Sequence, residues 1–196
     1  MKIIKNSLVA IVFFVFESCS KTETPAPPTV KVYPEENFSE SYFSTTGLNE
    51  KIIPKININA VEMGTGFAPI VKGKITAIRV KLPVVNNNLR VTIWDNELLT
   101  VLQIVTVNVA LANTIITQDI PDLDLIKNRE YTISMNSDDW FEHTKLDNSA
   151  LIYPFVIGNI KILNYKQYVT TYQFFPVNQF PALYTGDLSF DFQRTE

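Results

Sequence analysis

The groups in this sequence that could do chemistry are one thiol, one imidazole, a scatter of carboxylates and a set of rings. Cys19 is the only cysteine and His143 the only histidine, which leaves little basis for His-rich metal sites or nucleophilic triads. No G-x-S-x-G elbow is present, and His143, in Asp138-Asp139-Trp140-Phe141-Glu142-His143, is read as a loop residue with no catalytic motif around it. Gly64-Thr65-Gly66 lacks the third glycine and the following helix of a nucleotide loop, so a bulge or close strand packing is expected there. Glycoside hydrolysis needs two carboxyls about 5–10 Å apart. Asp95, Glu97, Asp122, Asp124, Asp138, Asp139 and Glu142 are available, but most fall at turns, where Asp accepts backbone hydrogen bonds. A hydrolase or hydrolase accessory is therefore the third functional reading. The same oxygen-rich turns suit a structural calcium ion, which takes about six to eight oxygen ligands. Asp95, Asn96, Asp138 and Asp139 are its candidate ligands, although no D-x-D-x-D-G loop occurs.

Rings supply the stronger argument. Exposed aromatics stack on sugar faces while neighbouring amides and carboxylates bond the hydroxyls. Trp140 and Phe141 stand among polar residues, and Trp140 is the ring expected to be most exposed. Tyr165, Tyr168, Tyr172, Phe174 and Phe175 follow, interleaved with Asn164, Gln167, Gln173 and Asn178. Rings 168, 172 and 174 would share one face of an extended strand, and the competing reading of that face is plain core. Trp94, in a strand-ending Trp-Asp pair, is expected to pack.

The N-terminus gives an address. Met1, Lys2 and Lys5 precede the apolar run Leu8–Phe16, and Glu17-Ser18 leads into Cys19. About nine apolar residues cannot span a bilayer core that needs roughly twenty. A charged start, a short apolar stretch and a small residue before the processing point make a secretory signal. With Cys19 next, it resembles a bacterial lipoprotein signal, in which the thiol is diacylated and becomes the mature N-terminus. Phe16 and Glu17 depart from the usual residues, and an ordinary signal cut beside Ser18 is the alternative. Ser20, rather than Asp, after the cysteine favours the outer membrane, with the leaflet left open. Residues 1–18 are thus a removed signal, and 19–36, with Pro25, Pro27, Pro28 and Pro34, a flexible tether. Polyproline geometry at about 3 Å per residue would hold the domain about 40 Å from the bilayer.

Removing the signal leaves 178 of 196 residues, enough for one domain over 37–196. It also takes the net charge from −3 to −4, which offers no electrostatic footprint for nucleic acid. Ile78, Val80 and Leu82 alternate with Arg79 and Lys81; Leu89, Val91 and Ile93 alternate with Arg90, Thr92 and Trp94. Val101, Val105, Val107 and Val109 share one parity, as do Tyr131, Ile133 and Met135, and Leu188, Phe190 and Phe192. Period two in β-branched and aromatic residues predicts half-buried antiparallel strands. Turn residues at Gly73, Asn86-Asn87-Asn88, Asn128, Gly158 and Gly186 separate them. The expected fold is all-β: an antiparallel, jelly-roll-like β-sandwich of about eight or nine strands.

Three segments carry a family resemblance: Val61-Glu62-Met63-Gly64-Thr65-Gly66-Phe67, Gly73–Val80, and Val91-Thr92-Ile93-Trp94-Asp95. With Arg129–Ser134 they resemble the domain of unknown function numbered 4082, over about residues 55–193. Met63 replaces the usual Leu, and Lys81-Leu82-Pro83 departs from the aromatic sequence that normally follows the Arg. The resemblance implies a β-sandwich module of extracellular bacterial proteins, often beside glycan-active domains, and carries no catalytic residue over. The leading expectation is a noncatalytic, lipid-anchored envelope protein displaying a binding module for glycans. The alternative is a structural or protein-docking component of an envelope complex. Replacing Cys19 by Ser is expected to abolish acyl labelling and release the protein from membranes; unchanged membrane fractionation contradicts the anchor.

Overall fold

Alternating apolar residues give each strand one face that must leave water, and two sheets laid face to face achieve this. The computed structural model describes residues 31–39, 42, 47–54, 60–184 and 187–196; the signal, Cys19 and the tether through residue 30 lie outside the described residues. Lys31–Glu196 forms one compact unit. Among the described residues the strands are β1 (Glu35–Asn37), β2 (Asn49–Ile53), β3 (Val61–Pro69), β4 (Gly73–Val80), β5 (Asn86–Asp95), β6 (Thr100–Val109) and β7 (Ile116–Leu125). They continue with β8 (Tyr131–Ser137), β9 (Trp140–Thr144), β10 (Phe155–Ile157), β11 (Ile160–Val169), β12 (Asn178–Gln179) and β13 (Leu188–Arg194).

One sheet has the order β1-β13-β4-β7. The larger has the order β10-β11-β3-β8-β5-β6, with β12 added beside β11, and β2-β9 form a small third sheet. The chain is therefore an all-β antiparallel sandwich, with the crossovers β3–β8 and β4–β13 joining strands distant in sequence. Eight strands of seven residues or more carry it, namely β3 to β8, β11 and β13. Five shorter ones raise the total to thirteen, above the eight or nine expected.

The layers meet at Phe67 of the larger sheet and Phe190 of the smaller, whose rings lie 4.6 Å apart between centroids. Phe38 closes on Phe190 edge-on at 4.9 Å. Met63, Ile78, Ile93 and Ile133 fill the same interior without exposure, each burial contributing about 1.5–3 kcal/mol. A register shift between Ile75 and Ala77 lets both Ile75 and Ile78 face inward despite their odd spacing. A second shift, between Ile93 and Trp94, breaks the parity expected of β6. Val105, Val107 and Val109 are buried, whereas Val101 lies beyond the bulge and is exposed.

The tether ends earlier than expected. Glu35 and Glu36 add to the edge of β13 as part of β1, and the Gln193 side-chain amide donates to the Tyr33 carbonyl at 2.7 Å. Arg194 lies 3.9 Å above the Tyr33 ring, so residues 33–36 belong to the folded unit. Gly64 meets the expectation of close packing, because a Cβ there would stand 2.0 Å from the Ile133 carbonyl oxygen. All nine positions of β3 are buried, which a two-layer sandwich alone does not produce.

Candidate functional site: the covered outer face of the larger sheet

The register explains why β3 is buried on both sides. On its outer face Arg90, Asn136, Glu62 and Tyr168 line up across β5, β8, β3 and β11. Thr92, Ser134, Gly64 and Lys166 form the next row, and Trp94, Thr132, Gly66 and Asn164 the third. Glu62 has 0% exposure, and a carboxylate so placed needs partners. Arg90 Nη2 lies 2.8 Å from its Oε2, and the Ser134 hydroxyl donates to Oε1 at 2.6 Å. Trp94 Nε1 donates in turn to Ser134 Oγ at 2.8 Å.

The segment that follows β11 folds back over these rows. The Asn136 side-chain amide donates to the Thr170 carbonyl at 2.9 Å, and the Gln173 amide to Thr92 Oγ1 at 3.2 Å. Phe175 packs edge-on against Trp94 at 5.7 Å and lies under the Lys166 ammonium, 4.7 Å from Nζ. Burial lowers the Lys166 pKa, and the Glu130 charge opposes that shift. With Phe175 turned inward, the remaining rings are left at the surface. Tyr168 and Phe174 stack at 4.5 Å with 28° between planes, Phe174 is exposed, and Tyr172 is 81% exposed. The result is a ring ledge on a segment that the Gln173 amide ties back to the sheet. An open cleft of about 420 Å³, lined by Tyr153, Asn164, Gln179 and Pro181 among others, includes none of the ledge rings.

The sequence candidates divide accordingly. Tyr168 and Tyr172 reach the surface, but not as one strand face: β11 stops at Val169, and a turn held by Tyr172 N–H donating to Thr170 Oγ1 carries Tyr172 off the strand. Tyr165 faces the interior and accepts a 2.6 Å bond from Gln167. Trp140, expected to be the exposed ring, is only 5% exposed. Its segment forms β9 against β2, which turns Trp140 into the core and places Phe141 beneath the Lys81 ammonium at 4.1 Å. His143 lies on that strand rather than in a loop. Trp94 packs as expected. Glu62, Arg90, Ser134 and Lys166 were not singled out from sequence; Glu62 and Arg90 sit on strands separated by β8, so no local pattern links them.

The four proposed calcium ligands cannot share an ion. Asp95 pairs with Tyr131 at the start of β8, whereas Asp138 lies just past its far end, seven residues on and about 20 Å away at strand rise. Asn96 Oδ1 accepts from Thr132 Oγ1 at 2.7 Å. Asp95 is buried and caps its own turn: the Glu97 and Leu98 amides donate to Oδ1 at 2.9 and 3.1 Å, and Arg129 Nη2 lies 2.5 Å from Oδ2. No family model matches the chain, and no curated protein matches it as a relative.

Desolvation pushes the Asp95 pKa up, but the Leu98 and Glu97 amides and the Arg129 charge outweigh it and hold the carboxyl below its ordinary value. The folded pKa is thus below the unfolded one, so this stabilisation is present above about pH 4 and lost as pH falls through the folded value. Asp95→Asn is expected to cost about 1–3 kcal/mol at pH 7 and to flatten the acid limb, as read by urea melts at pH 7 and pH 3.

Proposed function

We propose that this protein is a noncatalytic, lipid-anchored envelope protein whose β-sandwich displays a glycan-binding module, with Tyr168, Phe174 and Tyr172 as the contact surface. One observation carries the reading: a stacked ring pair and a third, highly exposed ring stand on a segment that side-chain amides brace by hydrogen bonds to the sheet beneath. Sugars offer apolar C–H faces to rings and hydroxyls to amides, so rings interleaved with polar groups suit them better than a continuous apolar patch. Bracing supports affinity as well, because rings already fixed in place lose less freedom on binding. The lipoprotein-like signal at Cys19 and the proline-rich spacer favour display away from a membrane surface, and the outer membrane is the proposed site.

The docking alternative has its own support at the far edge of the larger sheet. Leu98, Leu99, Leu102 and Ile104 are exposed together on the β5–β6 hairpin, where protein partners favour contiguous apolar contact. The two readings place binding on different parts of the larger sheet, the segment over its outer face and the β5–β6 hairpin.

Affinity electrophoresis in gels containing xylan, β-glucan, mannan or pullulan distinguishes them. At least one polysaccharide is expected to retard the wild type, and Phe174→Ala with Tyr172→Ala is expected to abolish the retardation by removing two stacking rings, each worth about 1 kcal/mol or more. Retardation by none of these polysaccharides, or retardation unchanged in the double variant, counts against the ledge.

A further inference from the structure

We propose that Glu50, His143 and Asp187 form a binding site for a zinc-class divalent cation. Three distant segments build it: β2 supplies Glu50, β9 supplies His143, and the residue before β13 is Asp187. One donor atom from each side chain lies within 4.8 Å of the others, and His143 Nε2 stands 2.8 Å from Asp187 Oδ2. Two donors bound to one tetrahedral zinc ion at about 2.0–2.2 Å stand about 3.3 Å apart, so a modest turn of the outer carboxylate closes the set. One imidazole and two carboxylates match zinc and leave a fourth position open. Calcium, which takes about six to eight oxygens, is poorly served by two carboxylates.

The surroundings favour a cation. His143 is 4% exposed and Asp187 is nearly as buried, so they make a fixed floor, while Glu50 at the rim is 43% exposed and can swing. The His143 backbone is locked by exchange with Tyr184, N–H to carbonyl at 2.8 Å in one direction and 3.0 Å in the other. Around a neutral imidazole, two carboxylates face one ammonium, that of Lys81, which lies 2.8 Å from Glu50 Oε2. The cluster then carries an excess negative charge that a divalent ion would neutralise. When the ion binds, the neutral imidazole carries its one proton on Nδ1, the Nε2 lone pair that faced Asp187 goes to the metal, and Glu50 exchanges the Lys81 ammonium for the metal. Lys81 is therefore a tethered competitor. A bound ion would also tie the small β2–β9 sheet to the edge of the main sandwich, independently of any glycan contact.

The test is calorimetric titration of the purified full chain with zinc chloride, with Cys19→Ser in every sample so that no thiol competes. Parallel melting curves are recorded with zinc, calcium and magnesium. The expected result is one saturable zinc site and a rise in Tm of several degrees with zinc alone. Glu50→Gln, at an exposed position that does not threaten folding, is expected to weaken zinc at least about tenfold, and His143→Ala to abolish binding. Lys81→Met is expected to tighten it. No saturable binding by the parent chain overturns the proposal, as does Glu50→Gln binding zinc as tightly as the parent.

Discussion

The buried carboxylate of Glu62 is the constraint on which the larger sheet depends. A charge with no exposure in the middle of a sheet is tolerated only if its oxygens are occupied, and here Arg90 and Ser134 occupy them. Ser134 in turn takes the indole N–H of Trp94, so the network binds β3, β5 and β8 across their outer face. Such a layer is stronger out of water, and removing one partner would leave the others exposed to the full cost of desolvation. The fold is thus a sandwich with a second interior, apolar between the sheets and polar beneath the segment 170–177.

That second interior also shapes the surface. Phe175 seals the polar rows by packing on Trp94, and Pro176 is buried beside it. Once those residues are committed inward, the neighbours Phe174 and Tyr172 have no interior left and face solvent, with Tyr168 stacked on Phe174. The proposed recognition ledge is therefore a by-product of how the sheet is covered. The opposite edge shows what happens without a cover: β6 keeps Leu102 and Ile104 exposed.

The sequence made the inter-sheet core legible because there one face is apolar and the other polar, as with Ile78 and Val80 against Arg79. It failed where that condition fails. Thr132 and Ser134 look solvent-facing by parity yet are fully buried, because a loop covers them and no local pattern announces a loop's destination. Trp140 misled for the same reason: polar neighbours suggested exposure, whereas pairing with β2 turned the ring inward. The bulges at Ile75/Ala77 and Ile93/Trp94 shift parity by one residue, which moves Val101 outside while leaving the pattern intact on paper. Glu50, His143 and Asp187 share no motif at all, since the pairing of β2 with β9 and the turn before β13 bring them together from distant parts of the chain.

The second interior is open to a direct optical test, because the chain has two tryptophans and only Trp94 lies beneath the 170–177 segment. In a Trp140→Phe variant all indole emission comes from Trp94, and its quenching by iodide measures the cover. Blue-shifted emission that iodide barely quenches, becoming red-shifted and readily quenched when Phe175→Ala is added, is the predicted result. Red-shifted, freely quenched Trp94 emission with Phe175 intact would contradict the covered outer face and the ledge built on it.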